Sequence, residues 1–326
     1  MTEPHQFTDH ALRGTLSHDV PMSRYTSWRA GGFADRMYRP ADLDDLLLFL
    51  RSLPLEEPLY AVGLGSNLLV RDGGLRGTVL LLHGALSKLH LEMDGSVSPQ
   101  EGGRGCKATE VATTTLYVEA GVPGAKLARF AAAHDLCGAE FFVGIPGTLG
   151  GMLAMNAGCY GSETWERVLR VQTVDKRGMT HVRTAENYQI GYRHVKRIAD
   201  SGSRIEEFFV AAWLKFEAGD GESVRQEIKA LLNKRIASQP LNLPNAGSVF
   251  RNPPDNHAAR LIEQCGLKGK RIGGAQVSEK HANFIVNVAD ASAEDIEDLI
   301  NEVRAKVLQQ SGIDLHPEVR IIGEAK

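Results

Sequence analysis

GLGSN at residues 63–67 and GIPGTLGG at residues 144–151 decide how this chain is read. GLGSN follows directly on an apolar, strand-like run at 59–64. Its two glycines, Gly63 and Gly65, let the backbone turn sharply and aim several N–H groups at one point, as a phosphate oxygen requires. Ser66 and Asn67 add side-chain donors. The segment departs from the dinucleotide fingerprint GxGxxG, because Leu68 stands at the third glycine position and a strand-like run follows where a helix should begin. Taken alone, it is read equally well as an ordinary turn between strands. The second segment continues to residue 158 as GIPGTLGGMLAMNAG, with Gly144, Gly147, Gly150, Gly151 and Gly158 around Pro146 and a run of small residues. Such a stretch can press its backbone against a flat ligand, and its amides can meet the polar edge or the pyrophosphate of a flavin. A close-packed crossing of two backbones is the alternative.

The rest of the composition narrows the partner. With 326 residues the chain has room for two or three domains, and its 43% hydrophobic and 24% charged content is that of a soluble globular protein. A formal net charge of −3 supplies no basic field, so the expected partner is a small molecule, with no nucleic acid and no membrane involved. The N-terminus lacks a targeting pattern and no apolar run approaches the roughly 20 residues of a membrane span, which points to the cytoplasm. Cys106, Cys137, Cys159 and Cys265 are far apart and make no metal or dithiol spacing; they read as free thiols. Redox chemistry would then need an organic cofactor.

Around the glycine loops, periodicity predicts a helix over 42–53 and strands over 68–70, 78–82 and 116–120, with an exposed excursion at 94–114. A helix over 126–136 leads to the second loop. Beyond it, 168–174 and 181–184 read as a hairpin around Asp175 and Gly178, and 208–216 as a strand. Acidic and glycine residues at 218–222 mark a boundary. Helices follow over 223–236, 257–265 and 293–310; the last carries Ser292 as N-cap, Asp295 three residues on, and Gly312 as stop.

Two C-terminal segments bring acid–base groups. NAGSVFRNP at 245–253 presents Ser248 after a flexible Ala-Gly, with Lys234, Arg235 or Arg251 as cations that could stabilise its alkoxide; a plain turn hydroxyl is the other reading. HPEVRIIG at 316–323 alternates as a strand and sets Glu318 and Arg320 on one face. Such a pair can neutralise a substrate acid or form an edge-strand ion pair. Tyr192-Arg193 is a further aromatic–cation pair, read on its own as a solvated loop.

Seven segments in order, YTSWRAGG, GLGSNLLVRDGG, FFVGIPGTLGGMLAMNAG, YRH, NAGSVFRNPP, GKRIGGAQVSEKHANFIVN and HPEVRIIG, give nearly the whole chain a likeness: it resembles the UDP-N-acetylenolpyruvoylglucosamine reductase family. The resemblance implies an α/β (α+β) protein with two FAD-binding subdomains of the vanillyl-alcohol-oxidase (PCMH) type, at 1–86 and 87–220, and a C-terminal α+β substrate domain at 221–326. It implies non-covalent FAD held by Gly63, Gly65, Ser66, Asn67, Gly144, Ile145, Pro146, Gly147, Thr148, Gly150, Gly151, Asn156 and Gly158. NADPH reduces the flavin, and the flavin reduces the enolpyruvyl double bond of UDP-N-acetylglucosamine enolpyruvate to give UDP-N-acetylmuramate in peptidoglycan precursor synthesis. By the same likeness Arg193, Ser248 and Glu318 are catalytic, with Ser248 the proton donor. Tyr192, Arg235, Asn245, Arg251 and Arg320 contact substrate, no metal takes part, and the protein works as a monomer. Two departures stand out: His194-Val195 replaces the usual tail of the YRxS motif, and Cys159 stands where alanine is common. The short stretch between Arg193 and Ser248 fits the subclass without a tyrosine-bearing loop. The competing readings are an FAD-dependent oxidase of the same superfamily and a silent nucleotide-sugar-binding module.

Overall fold

The computed structural model describes residues 11–92, 113–198 and 206–326, and its first sheet combines two expected strands with two, at 15–21 and 33–39, that the sequence reading did not foresee. Strands Thr15–Pro21, Phe33–Arg39, Leu75–Leu81 and Leu59–Val62 lie side by side in that order. Leu75–Leu81 pairs in parallel with both neighbours and is buried at every position but Arg76, as a strand covered on both faces must largely be. Helix Leu43–Ser52 packs Leu46, Phe49 and Leu50 against this sheet's Tyr38, Leu59 and Leu80. It starts where expected because the Asp42 carboxylate accepts the Asp45 N–H at 3.0 Å. The strand predicted over 59–64 ends at Val62, since Gly63 opens a loop in which Gly65 takes φ +61°.

The second unit is an antiparallel sheet in the order Thr180–Arg183, Val168–Asp175, Glu207–Ala218, Thr113–Glu119, Leu89–Glu92. Its hairpin turns as predicted, with Asp175 Oδ1 accepting the Arg177 and Met179 N–H groups and Gly178 at φ +68°. Helices Gly124–Ala133 and Gly221–Ser238 share one apolar cluster with this sheet, Leu127 and Ala131 from the first meeting Val224 and Ile228 from the second. The excursion expected at 94–114 falls almost wholly outside the described residues.

The C-terminal unit wraps helices Ala258–Gln264 and Ala293–Ser311 around a small sheet of Arg271–Ile272, Ala275–Val277 and Ile285–Asn287. The long helix is as expected, with a reciprocal Ser292–Asp295 capping box, Ile296, Leu299, Ile300, Val303 and Val307 buried, and Gly312 at φ +72°. This unit is fastened to the first. Trp28 and Leu69 lie in its core, Trp28 Nε1 donates to the Ile285 carbonyl at 2.7 Å, and Asn287 Nδ2 donates to the Trp28 carbonyl at 3.0 Å. Asp72 caps the long helix by accepting the Ala293 and Glu294 N–H groups, and Arg71 pairs with Glu297 through two bonds of 2.8 Å. The last strand, Arg320–Ile322, joins Leu68–Val70 in parallel, so residues 318–320 arrive beside the first glycine loop. Among the described residues no helix is long and apolar enough to cross a membrane.

Candidate active site

The two glycine loops face each other. A Cβ added at Gly63 would run into Thr148 Oγ1, and Ser66 Oγ lies 3.6 Å from where a Cβ on Gly147 would stand. Nor could Gly65 carry a side chain, because its Cβ would strike the Tyr25 carbonyl. Together the loops line a cavity of about 610 Å³ that takes in Gly63, Gly65, Ser66, Asn67, Gly144, Ile145, Pro146, Gly147, Thr148, Gly150, Gly151 and Gly158. A wall of bare backbone with apolar Leu82, Ala120 and Phe209 deeper in, and nothing within 4 Å of a Cβ on Gly151, suits a flat group with a phosphate tail. FAD fits this lining. Beyond Thr148 the run of small residues forms a short helix, Leu149–Met155, which the sequence reading did not foresee; Asn156 ends it at φ +43°.

Asn156 is turned away from the cavity. Its Oδ1 accepts the Trp165 N–H at 3.1 Å, and its Nδ2 donates to Glu163 Oε2 at 2.6 Å and to the Gly191 carbonyl at 3.3 Å. Gly191 closes the strand Tyr188–Gly191, which pairs with His194–Arg197 across a two-residue turn made of Tyr192 and Arg193. Hence the segment that read as a solvated loop is a hairpin tip, with Arg193 at φ +54°. Its guanidinium reaches into the cavity wall, where Nη2 donates to the Gly158 carbonyl at 3.0 Å and Nε lies 2.8 Å from Glu318 Oε1. Both side chains are largely enclosed, 17% and 13% exposed. Burial pushes the Glu318 carboxyl above the ordinary glutamate range, and Arg193 and Arg251 only partly pull it back.

Ser248 stands on the same wall. Asn245 shapes its loop, donating to the Leu243 carbonyl at 2.7 Å and accepting the Gly247 N–H at 3.0 Å, with Gly247 at φ +75°. On the far side Asn283 grips Phe250 at both ends of its peptide unit, Oδ1 accepting the N–H at 3.0 Å and Nδ2 donating to the carbonyl at 2.8 Å. The Glu318 N–H then donates to the Val249 carbonyl at 2.7 Å, which brings the serine loop and the glutamate together. Asn283 had no role in the sequence reading beyond its place in the HANFIVN segment, where a buried asparagine among apolar residues is the signal.

The expected substrate contacts divide. Arg320 lines the cavity on the same side as Glu318. Tyr192 is half exposed at the hairpin tip, its ring beneath its own neighbour Arg193. Asn245, Arg235 and Arg251 do not line the cavity: Asn245 is engaged within its loop, Arg235 Nε donates to Gln239 at 3.1 Å, and the buried Arg251 Nε has no hydrogen-bond partner among the described residues. Cys137, Cys159 and Cys265 are free thiols, and Cys159 lines the cavity with its thiol donated to the Phe141 carbonyl at 3.0 Å. Burial pushes that thiol up to about 11, so at neutral pH it is a poor nucleophile.

A backbone-lined cavity with a buried arginine–glutamate pair and a hydroxyl at its edge suits a flat cofactor beside charged groups, and likeness to known proteins makes the chain a flavin-dependent oxidoreductase. The family model for the FAD binding domain matches residues 34–183. Residues 239–322 match the C-terminal domain of UDP-N-acetylenolpyruvoylglucosamine reductase. Curated reductases of that name are 56% identical in Thiobacillus denitrificans, over 96% of this chain and 94% of the relative, and 53% identical in Nitrosospira multiformis, over 99% and 93%. The crystal structure of UDP-N-acetylenolpyruvylglucosamine reductase (MurB) from Thermus caldophilus superposes with a TM-score of 0.73 at 28% identity, covering 95% of this chain and 99% of that one. The chain belongs to the UDP-N-acetylenolpyruvoylglucosamine reductase family.

Proposed function

We propose that this FAD-dependent enzyme performs its family's reduction through Arg193, Glu318 and Ser248, with NADPH as electron donor and UDP-N-acetylglucosamine enolpyruvate as acceptor. The observation that carries the assignment of residues is the Arg193–Glu318 pair, 2.8 Å apart in the cavity that the glycine loops and Ser248 also line. Bound FAD, once reduced by NADPH, would supply the hydride. Addition of hydride to one carbon of the enolpyruvyl double bond drives negative charge onto the adjacent carbon and the substrate carboxylate. Arg193, held by Glu318 and the Gly158 carbonyl and itself largely enclosed, offsets that charge. Ser248 gives its proton to the second carbon, which completes a two-electron reduction. Glu318 lines the same cavity and fixes the Arg193 guanidinium there. Gly63, Gly65, Ser66 and the segment Gly144 to Gly151 hold the cofactor through backbone amides, and Arg320 faces the substrate. We place this work in the cytoplasm, by a monomer, on small molecules; a formal net charge of −3 gives no basic field for nucleic acid or an anionic membrane.

The test is direct. Purified protein should be yellow, should release its flavin to the supernatant on acid precipitation, and should oxidise NADPH when the enolpyruvyl sugar nucleotide is added. Colour left in the pellet would overturn non-covalent binding. A flavin that NADPH reduces but the sugar nucleotide cannot reoxidise would overturn the reductase reading.

A further inference from the structure

Asn67 closes the first glycine loop and lines the cavity, and its side chain also reaches the far end of the chain. Nδ2 donates to the Glu318 carbonyl at 3.1 Å, and the Asn67 carbonyl accepts the Arg320 N–H at 3.0 Å. One residue of the cofactor loop therefore holds the backbone on both sides of Val319, directly after Glu318, extending the parallel ladder that pairs Leu68 with Arg320. Nδ2 also lies 2.8 Å from Met155 Sδ, at the end of the helix that follows the second glycine loop. From Glu318 the line continues, since its N–H binds the Val249 carbonyl next to Ser248. We propose that Asn67 is a positioning residue for the substrate half of the reaction: it sets the register of Glu318, and through it Arg193 and Ser248, against the cofactor wall.

This inference rests on the reductase reading, and it separates the two half-reactions. Asn67→Asp keeps the size of the side chain but replaces the donor with a carboxylate facing a carbonyl. Because Asn67 also lines the cofactor cavity, the variant is loaded with FAD to the parental ratio before mixing, and its reduction by NADPH should then slow several-fold less than its reoxidation. Its reoxidation by the enolpyruvyl sugar nucleotide should slow by about 10- to 100-fold, the scale of a small misplacement of a catalytic group. In a Glu318→Gln background the same change should add less than about threefold, because the residue through which it acts is already disabled. Should the aspartate variant fail to fold, Asn67→Ala removes the donor without adding charge and is measured in the same way. Failure to hold FAD at that ratio, equal slowing of both half-reactions, or a full additive loss in the Glu318→Gln background would each overturn the proposal. Failure of the parent enzyme to reduce the sugar nucleotide would instead overturn the reductase reading on which it rests.

Discussion

The two walls of the cavity are built by opposite means. The wall we assign to the cofactor is made by leaving side chains out: at Gly63 and Gly65 a Cβ would collide with Thr148 or the Tyr25 carbonyl. The wall we assign to the substrate is made of side chains, Arg193, Ser248 and Glu318, which come from three distant segments whose backbones are held by asparagines. A wall of backbone fails when something is added to it. A wall of side chains fails when a support is removed.

The largest effect should therefore follow from the smallest addition. Gly65→Val forces a β-branched residue into φ +61° and onto the Tyr25 carbonyl, which should destabilise the loop by about 3 kcal/mol or more. The purified variant should lack visible flavin absorbance and be inactive in both half-reactions. Retention of flavin at the parental ratio would show that the loop can move aside and is not the cofactor wall. Ser248→Ala breaks the other wall alone. Flavin reduction by NADPH should remain close to parental while reoxidation by the sugar nucleotide slows by about 100- to 10,000-fold, the range of a lost general acid. Equal loss in both halves would refute its role as proton donor.

This contrast also explains what the sequence discloses. Glycine loops are local, and a wall made of backbone leaves its signature in one short stretch; GLGSN and GIPGTLGG both line the cavity. The side-chain wall is non-local. Tyr192-Arg193 read as solvated because no local pattern reports that Asn156 anchors its hairpin or that Glu318 meets it from the far end of the chain. Helix Leu149–Met155 escaped notice because its glycines argue against a helix, and tertiary packing of Leu149, Met152 and Leu153 overrides that weak preference. The change in composition at 218–222 marks only a two-residue link, 219–220, between strand Glu207–Ala218 and helix Gly221–Ser238, and that helix buries Val224 and Ile228 in the second unit. We propose to draw the boundary of the substrate domain near residue 239 accordingly.

A smaller loss should come from the clamp below Ser248. Asn283→Ala leaves the buried Phe250 N–H and carbonyl without partners, which should cost about 2 to 4 kcal/mol of stability. Thermal unfolding followed by flavin fluorescence measures this, and rapid mixing should show reoxidation slowed more than reduction. An unchanged reoxidation rate would mean that the strand Ile285–Asn287 and its neighbours hold the serine loop without the clamp.

The smallest effect tests the joint between the walls. Arg71 and Glu297 tie the strand below the first glycine loop to the long C-terminal helix, and that bond holds the Glu297 carboxyl below its ordinary value of 4.5. Because the folded value is the lower one, the stabilisation is fully present above the unfolded value and is lost as acid protonates the folded pair. Glu297→Gln should lower the melting temperature by about 2 °C or less near neutral pH, as a partly exposed pair contributes at most about 1 kcal/mol. The gap between parent and variant should then close on acidification through the carboxylate range. A gap that persists to about pH 3 would mean that the joint depends on the shape of the glutamate and not on its charge. In that case Asp72, which caps the same helix, would carry the electrostatic part of the contact between the two walls.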